Sequence, residues 1–582
     1  LISIGAAELD LAGTVTAAGD IDIVLDALDM AVVTMSGTLN AADDVTVTAV
    51  ANQDITGAGD ITGDDISITA LGTGAIEIGD IAAAGFAFIG SDDGAIKTGS
   101  VTADANAAST FAIEVQTTGA VTANGAYTAD SQAGLNISID PSTVVNNGRF
   151  AATGNIEIVA TDTITVNADM HASNGNIDVS GTGNLLMSVG TSLTAPNGDI
   201  DVSGENVTLG GVTSGGELTV INDVDGSSDG DTIILTGDLR GDGGVSITAG
   251  VAGDKALDIE LQGDISITAI NTAISITTLD AAHDIDGAFA LNINAGTGAI
   301  TLPAITAVES LTVANSGAGI ITLFGNVTSE QDIAFTTDGG TVLGDGVNVI
   351  ASITATSTDG SATFQGDVTS ADAGGAGTGF IVKAESIIAN NIDTKVAGDA
   401  GVITLTSTSG DIAAGVLNAG PGAANGAVVT LDAADDLTVT EIATNGTALG
   451  GNISLTAGDN ISLSGNLTTT GTGAAAGAVT LNATSTTIAA TTINSAGTVD
   501  GPVSITGTVE GSGGTLTIVA NAANVTLAGA IGGNDALALV DITTTGAATL
   551  SLGGSITATD IDLADVTSAV VLTGDVTLTS TD

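Results

Sequence analysis

The sequence predicts an all-β protein that forms one long parallel β-helix. The first observation is a short phrase of glycine, a polar residue and alternating aliphatic residues. It begins at Gly154, Gly175, Gly198 and Gly216, so it returns roughly every 20 residues, as the coils of a solenoid do. The second is the alternation itself, which is typical of a strand with one buried face. The third is a composition that is rich in glycine and poor in aromatic residues.

Each repeat holds two or three short strands. Ile156 and Ile158 flank Glu157 in one strand, and residues 164–166 supply another before the phrase returns. Glycine, asparagine or aspartate separates the strands, as turns require. Such a unit cannot bury a core alone, so each strand must pair with its counterparts in the coils above and below. At about 20 to 23 residues per coil, the β-solenoid would have roughly 25 right-handed coils.

The composition agrees with a narrow core. Hydrophobic residues make up 43% of the chain but aromatic residues only 2%, with one tyrosine and nine phenylalanines. Ladders of Val, Ile, Leu, Ala and Thr can fill a solenoid of this kind without large rings. The 82 glycines are expected at the coil corners, where a positive φ is often required.

The pattern divides the chain into three parts. Residues 1–84 already carry the phrase and are predicted as β-solenoid coils. From 85 to 150 the pattern loosens and larger or basic side chains appear, so we predict irregular coils or an insertion within the solenoid. Residues 151–582 return to solenoid coils. Within them, four phenylalanines are predicted to stack in the core: Phe324, Phe335, Phe364 and Phe380.

The charge balance excludes several partners. Six Lys and Arg residues stand against 67 Asp and Glu residues, for a formal net charge of −61. Such a surface repels nucleic acid and anionic membranes, so we expect neither as a partner. Divalent cations or salt would relieve its self-repulsion. The chain has no cysteine, and its apolar runs are too short for a transmembrane helix.

An acidic stretch at 222–231 is the best candidate metal site. Its carboxylates belong to Asp223, Asp225, Asp229 and Asp231, with glycines between them. Ca²⁺ binds about six to eight oxygen ligands, which such a loop could wrap around the ion. The spacing differs from that of an EF-hand, and the alternative is a solvated acidic loop. A weaker candidate is formed by the nearby aspartates Asp60, Asp64 and Asp65.

No constellation of catalytic residues is evident. β-Helical polysaccharide lyases need a basic residue, and the hydrolases need two placed carboxylates. With so many acids, some pair will always lie at a suitable distance. The basic residues are scattered, and we interpret His171 and His283 as surface or turn residues. Arg240, Gly241 and Asp242 form a tripeptide that some adhesins present, a match close to chance. We therefore expect no enzymatic activity.

The repeat style resembles a known group of proteins. The phrases at 175–179 and 451–461 are similar to the coils of filamentous-haemagglutinin-like adhesins and other large β-strand-repeat surface proteins. The resemblance covers most of the chain. It implies an extracellular parallel β-helix that works as a stalk, an adhesin or a surface coat.

These observations predict a secreted structural protein of the cell surface, a rod that assembles into a filament or a surface layer. Neither end carries a capping helix, so we expect a homo-oligomer formed by end-to-end or lateral stacking. Two alternatives remain open. One is an adhesin stalk that binds a glycan or host protein through residues 84–149. The other is a polysaccharide lyase or hydrolase, which needs a groove where acids meet at least one basic residue.

Overall fold

The computed structural model describes every residue except 7–8, 26–32, 51, 105–110, 131–135, 223–231, 251–257, 279–282, 326, 330, 344–346, 350–352, 371–378, 396–398, 421–423, 512, 568 and 582. The described residues form strands and turns, with no helix among them. None of these segments is therefore a helix long and apolar enough to cross a bilayer. The chain divides into two compact units, unit 1 at Leu1–Phe289 and unit 2 at Ala290–Asp582.

Unit 1 has three ladders of parallel strands, each strand pairing with the strand one turn along the chain. The first ladder contains Ile2–Ala6, Ile21–Leu25, Val45–Ala49, Ile66–Ala70, Ala87–Ser91, Phe111–Gln116, Asn136–Asp140, Ile156–Ala160, Ile177–Gly181, Ile200–Gly204, Glu217–Asn222, Gly244–Ala249 and Ile274–Thr278. The second contains Leu9–Leu11, Val33–Met35, Ile55–Thr56, Ile76–Ile78, Ile96–Thr98, Ala120–Ala123, Thr143–Asn146, Ile164–Val166, Leu185–Met187, Val207–Leu209, Ile233–Leu235, Ile259–Leu261 and Asp284–Asp286. The third contains Val15–Ala17, Leu39–Ala41, Ile61–Gly63, Ile81–Ala83, Val101–Ala103, Tyr127–Ala129, Phe150–Ala152, Met170–Ala172, Ser192–Ala195, Gly211–Ser214, Leu239–Gly241 and Ile265–Thr268.

Unit 2 repeats this architecture. Its broad ladder contains Ala290–Asn294, Ser310–Ala314, Ile333–Thr337, Ile353–Ser357, Phe380–Ala384, Ile403–Ser407, Val429–Ala433, Ile453–Ala457, Val479–Ile488, Val503–Glu510, Val525–Leu527, Thr549–Leu552 and Ala569–Leu572. The second ladder contains Ile300–Leu302, Ile321–Leu323, Thr341–Leu343, Ala362–Phe364, Ile387–Ala389, Ile412–Asn418, Leu437–Ala443, Asn460–Leu463 and Leu578–Ser580. The third contains Ala304–Val308, Val327–Ser329, Val347–Val349, Val368–Ser370, Ile392–Asp393, Leu467–Thr468, Ala490–Asn494, Thr515–Asn521, Leu537–Thr544 and Ile556–Asp562. Some longer strands turn a corner and pair in two ladders, and Gly471–Ala475 pairs separately with Gly497–Val499.

This pairing confirms the predicted fold class, an all-β parallel β-solenoid. Inward side chains stack in register: Ile156 pairs with Ile177, which pairs with Ile200, and all three are fully buried. Many turns have the predicted length, such as the turn from Ile156 to Ile177. Others are longer, such as the turn from Leu218 to its partner Val245. The strands keep their register across turns of both lengths.

Glycines form a column at one corner of unit 1 because adjacent coils come very close there. A Cβ atom on Gly198 would collide with the carbonyl oxygen of Gly175, and one on Gly243 would collide with the backbone of Gly216. None of these four glycines has a positive φ. The expectation that such corners need glycine for its positive φ is therefore wrong here. The glycines are needed for lack of space between coils.

Asparagine and aspartate stand beside these glycines and bond one coil to the next. The Asn155 Oδ1 accepts a hydrogen bond from the Asn176 amide, and the Asn176 Oδ1 accepts one from the Asp199 amide, both at 2.9 Å. The Asp199 Oδ1 in turn accepts from the Glu217 amide at 2.9 Å. We call this series the Asx column. It explains why the phrase pairs glycine with asparagine or aspartate.

Buried hydroxyl groups perform a similar task inside unit 2. The Thr444 hydroxyl donates to the Gly451 carbonyl at 2.6 Å, and the Thr469 hydroxyl donates to the Gly477 carbonyl at 2.7 Å. Both threonines are fully buried. Because a buried carbonyl without a partner costs free energy, these hydroxyls stabilise the corners from within.

Strands between 85 and 150 continue the ladders of unit 1, with a shift of register between Phe111 and Ile113. The boundaries at 84 and 150 stay a prediction. Tyr127 and Phe150 are fully buried there and stack with their ring centroids 4.8 Å apart. The Tyr127 hydroxyl bonds the Thr98 hydroxyl at 2.6 Å, and burial raises the pKa of Tyr127 to about 12.

The predicted phenylalanine core is confirmed at three of its four positions. Phe335, Phe364 and Phe380 are buried, and the last two meet edge to face with their centroids 5.1 Å apart. Phe324 is 65% exposed, so its prediction is wrong. It follows the buried Leu323, and side chains alternate between the two faces of a strand.

Candidate functional site

The predicted calcium ligands Asp223, Asp225, Asp229 and Asp231 lie outside the described residues, so calcium binding stays a prediction. Asn222, which precedes them, is described. It is fully buried, and its Oδ1 accepts a hydrogen bond from the Gly250 amide at 2.8 Å. Asn222 therefore belongs to the solenoid core at the point where the acidic stretch begins.

The weaker candidate, Asp60, Asp64 and Asp65, has a different arrangement. The Asp60 Oδ1 accepts from the Asp80 amide at 3.1 Å, and the Asp65 Oδ1 accepts from the Phe86 amide at 2.9 Å. These two aspartates bond the coil above, as the Asx column does. Over the ranges that the structure describes, no three carboxylate or imidazole side chains are grouped to hold a metal ion.

An acidic row lies on the outer face of the first ladder. Glu157, Asp178 and Asp201 occupy the same position in three neighbouring strands, so stacking places them side by side. With Asn155 and Asn176 they line a shallow cavity of about 210 Å³. Burial raises the pKa of Asp178, and the charges of Asp201 and Glu157 raise it further. This row can attract cations. The repulsion between its charges raises the pKa of Asp178, which lies between the other two carboxylates.

A second acidic group includes an aspartate that contacts a histidine. His283 is only 9% exposed, and its Nδ1 lies 3.4 Å from the Asp258 Oδ1. The interpretation of His283 as a surface or turn residue is therefore wrong for the surface, because the ring is buried. His283 does lie outside the strands, directly before Asp284–Asp286. Burial raises the pKa of Asp286, assisted by the charges of Asp284, Asp258 and Glu260. His171 lies half-buried on the strand Met170–Ala172.

One cleft of unit 1 contains one acid and one base. It has a volume of about 490 Å³ and is lined by Thr56, Glu77, Lys97 and Asn124, among others. The Lys97 Nζ lies 2.7 Å from the Glu77 Oε1, and the two side chains are 51% and 55% exposed. An ion pair this exposed contributes little stability. Each of the two charged groups therefore has the other as its partner in the cleft.

The adhesin-like tripeptide is internally bonded. The Arg240 Nε donates to the Asp242 Oδ1 at 2.6 Å, and an Nη donates to the other carboxylate oxygen at 3.0 Å. A partner would have to break this bidentate pair before it could contact both charges.

Two aromatic rings lie on the outer face of unit 1. Phe86 and Phe88 are half-buried, with their ring centroids 6.4 Å apart and an interplanar angle of 25°. Phe88 lies over Gly90 and pairs with Glu114 on the next strand. Their pairing follows from the i, i+2 spacing, which places both side chains on the same face of a strand.

Sequence reasoning missed a surface on unit 2 that carries few charges, which we call the broad face. It consists of the outward side chains of the broad ladder, most of them threonine or serine. Within the two outward rows named below, the only charged residues are Lys383 and Asp432. The outward rows are Asn292, Thr312, Ala334, Thr354, Ile381, Thr404, Thr430, Ser454, Thr480, Ser504, Thr526, Ser551 and Val571, and beside them Asn294, Ala314, Thr336, Thr356, Lys383, Thr406, Asp432, Thr456, Asn482 and Thr506.

Comparison of the chain with protein-family models, curated proteins and solved structures finds no match. The β-solenoid assignment therefore rests on the strand pairing and register of the chain itself.

Proposed function

We propose that the protein is a non-enzymatic structural component of the cell surface, whose copies assemble into a filament or a surface layer. The observation that carries this proposal is that the recurring residues of the phrase bond one coil to the next. Gly198 leaves room for the coil that contains Gly175. Asn176 of that coil accepts a backbone hydrogen bond from the Asp199 amide, which follows Gly198. Interfaces between neighbouring repeats are the main source of stability in a solenoid, so this use of the repeat suits a mechanical role.

The state of the charged residues supports a role without catalysis. General acid–base catalysis needs a proton-transfer group that is available to the substrate. Lys97 and Arg240 are each bonded to a neighbouring carboxylate, and corner aspartates such as Asp60 accept backbone hydrogen bonds.

An extracellular location is supported by the composition and the repeat style. The chain is free of cysteine and carries a net charge of −61, and its coils resemble those of filamentous-haemagglutinin-like surface proteins. Two copies with this charge repel each other, so we propose that Ca²⁺ bridges or neutralises carboxylates during assembly.

Negative-stain electron microscopy of the full chain tests this function. We expect fibres or sheets in millimolar Ca²⁺ and their dispersal in a chelator. Sodium chloride of matched ionic strength is the control, because it screens charge without bridging carboxylates. Isolated particles in all three conditions, at every protein concentration, would contradict the proposal.

The aromatic pair favours one second candidate, an adhesin that binds a glycan. Phe86 and Phe88 form a stacked pair on an open face, and aromatic faces suit the apolar side of a sugar ring. A glycan array would detect such binding. Phe88→Ala should abolish it, whereas Thr102→Ala on another strand of the same unit should not. Equal signals from both variants would reject Phe88 as the site.

A further inference from the structure

The outward rows of the broad face of unit 2 carry few acidic side chains, although the chain as a whole is strongly acidic. Two copies of a chain with a net charge of −61 repel each other wherever acidic surfaces meet. On the broad face, the two charges have opposite signs, at Lys383 and Asp432. The described part of the chain contains no ion pair for either of them. Within these two rows a second copy would meet one positive and one negative charge, which do not add to that repulsion.

We propose that the broad face is the surface through which a second copy of this chain packs sideways. The inference rests on the assembly proposed above and names its contact surface. The arrangement of the two charges defines the geometry. Lys383 pairs with Thr406, and Thr406 pairs with Asp432, so the two charges lie one strand to either side of Ile403–Ser407.

A two-fold axis parallel to the strand Ile403–Ser407, running just above it, would exchange these neighbours. This axis maps each strand onto the strand equally far away on the other side of Ile403–Ser407. Each residue keeps its position along the strand direction. Lys383 of each copy then lies over Asp432 of the other, giving two intermolecular ion pairs from one pair of residues. Such self-complementarity is what an isologous dimer interface requires.

The apolar residues obey the same symmetry. Val402 and Val428 are 39% and 40% exposed and lie at corresponding positions just before their strands. Gly379 occupies the corresponding position before Phe380, on the opposite side of the strand Ile403–Ser407 from Val428. The axis therefore places Val428 of one copy over Gly379 of the other. Val402 of one copy lies over Val402 of the other. A side chain faces a position without one, which favours close packing.

The area is sufficient for a stable dimer. The axis lies close to the middle of the broad ladder, so the strands from Ala290–Asn294 to Val525–Leu527 overlap in the two copies. With strands ~4.8 Å apart and ~3.3 Å per residue, this overlap covers about 800 Å² per copy. Stable protein–protein interfaces bury roughly that area on each partner.

Cysteine cross-linking tests the symmetry, because the chain has no cysteine of its own. In the full-length protein, Thr406→Cys places two thiols at the axis, and diamide should convert the protein to a covalent dimer. Thr356→Cys and Thr456→Cys lie two strands to either side. Each should remain uncross-linked alone, and a mixture of the two should form a heterodimer. Thr438→Cys on the second ladder is the control on another face.

Charge substitution provides an independent measurement. In sedimentation equilibrium, Lys383→Asp should weaken dimerisation at least tenfold, because like charges then face each other. The double substitution Lys383→Asp with Asp432→Lys should restore it, since the exchanged charges are again complementary. Thr438→Asp, the matched control, should leave the dimer constant unchanged.

The outcomes separate this inference from the function on which it rests. If calcium-dependent assemblies form but Thr406→Cys does not cross-link and the charge variants change nothing, assembly uses another surface and the inference is overturned. If the wild-type chain never associates, both proposals fail. A monomer that adsorbs to insoluble polysaccharide through Thr404 and Thr430 would also overturn it.

Discussion

Contacts with the adjacent coil restrict which residue can occupy individual positions of the phrase. Gly198 has no room for a side chain because the carbonyl of Gly175 occupies the place of its Cβ. Asp178 is held between Glu157 and Asp201 by the register of three strands. Small and charged residues in this fold therefore report on neighbours one coil away, which leads to two predictions.

Replacing Gly198 by alanine should destabilise unit 1 by about 1–3 kcal/mol, since the added methyl group must displace backbone of the adjacent coil. Amide hydrogen exchange in Ile177–Gly181 and Ile200–Gly204 would accelerate accordingly. Gly211→Ala is the matched control, because its Cβ would meet only Ser192 at 4.0 Å. Equal effects of the two substitutions would argue against a spatial origin.

Asp178→Asn should stabilise unit 1 at neutral pH. Folding raises the pKa of Asp178 above its ordinary value of 3.8, so the folded state binds the proton more tightly than the unfolded state. Stability therefore falls as pH rises through the folded pKa, and the penalty is complete above it. Removing one of three adjacent like charges is worth roughly 0.5 kcal/mol.

The pH dependence distinguishes this effect from a general one. Hydrogen exchange in Ile177–Gly181 should slow in Asp178→Asn at pH 7. At about pH 3, where both states hold the proton, the substitution should change little. Asp162→Asn, at an exposed corner, is the control. Faster exchange in the Asp178 variant at pH 7 would contradict the argument.

At the scale of strands and corners, side-chain acceptors continue the ladder where the backbone turns. Strand residues pair through their own amides and carbonyls, but corner amides such as those of Asn176 and Asp199 bond to a side chain one coil away. Asparagine and aspartate serve equally in the Asx column, since both present an Oδ1. Part of the acidic composition is therefore structural.

Asn176→Ala should expose the dependence on that acceptor. The Asp199 amide loses its partner, and an unsatisfied donor at this part-buried corner costs about 1 kcal/mol. Exchange of the Asp199 amide should become faster than that of the Ile200 amide. Asn176→Asp retains the acceptor and should behave like the wild type. An alanine variant with unchanged exchange would show that water replaces the side chain.

At the scale of the whole molecule, net charge is the property that most affects folding and association. A net charge of −61 opposes both folding and association, and bound cations reduce that opposition. The proposed dimer through the broad face and the proposed calcium dependence belong to this scale, because each addresses how like-charged copies meet.

Replacement of Asp223, Asp225, Asp229 and Asp231 by asparagine should remove the tightest calcium site. Isothermal titration calorimetry of the full chain should lose its strongest binding phase, since carboxylates are replaced by neutral amides. The matched control removes four other aspartates of unit 1: Asp10, Asp20, Asp43 and Asp92. Identical titrations for the two variants would mean that calcium responds to total charge and not to this stretch.

Much of the fold could be read from the sequence because the core repeats. Apolar and polar residues alternate at Ile156, Glu157 and Ile158, and the same pattern recurs from Ile177. This recurrence determined the presence of strands, their inward positions and the stacking of coils. Other features depend on contacts that the local pattern does not contain. The burial of His283 against Asp258 and the internal pairing of Arg240 with Asp242 are decided by the neighbouring coil and the turn.

By itself, the sequence determined that the chain is a parallel β-solenoid, since periodic alternation specifies both the strand and its buried face. Only the tertiary structure decided which residues meet across coils. The broad face is the clearest case: Lys383, Thr406 and Asp432 are far apart along the chain and become neighbours only through register. The physical reason is that coil lengths vary, so the position of a residue on a face depends on the pairing of whole strands.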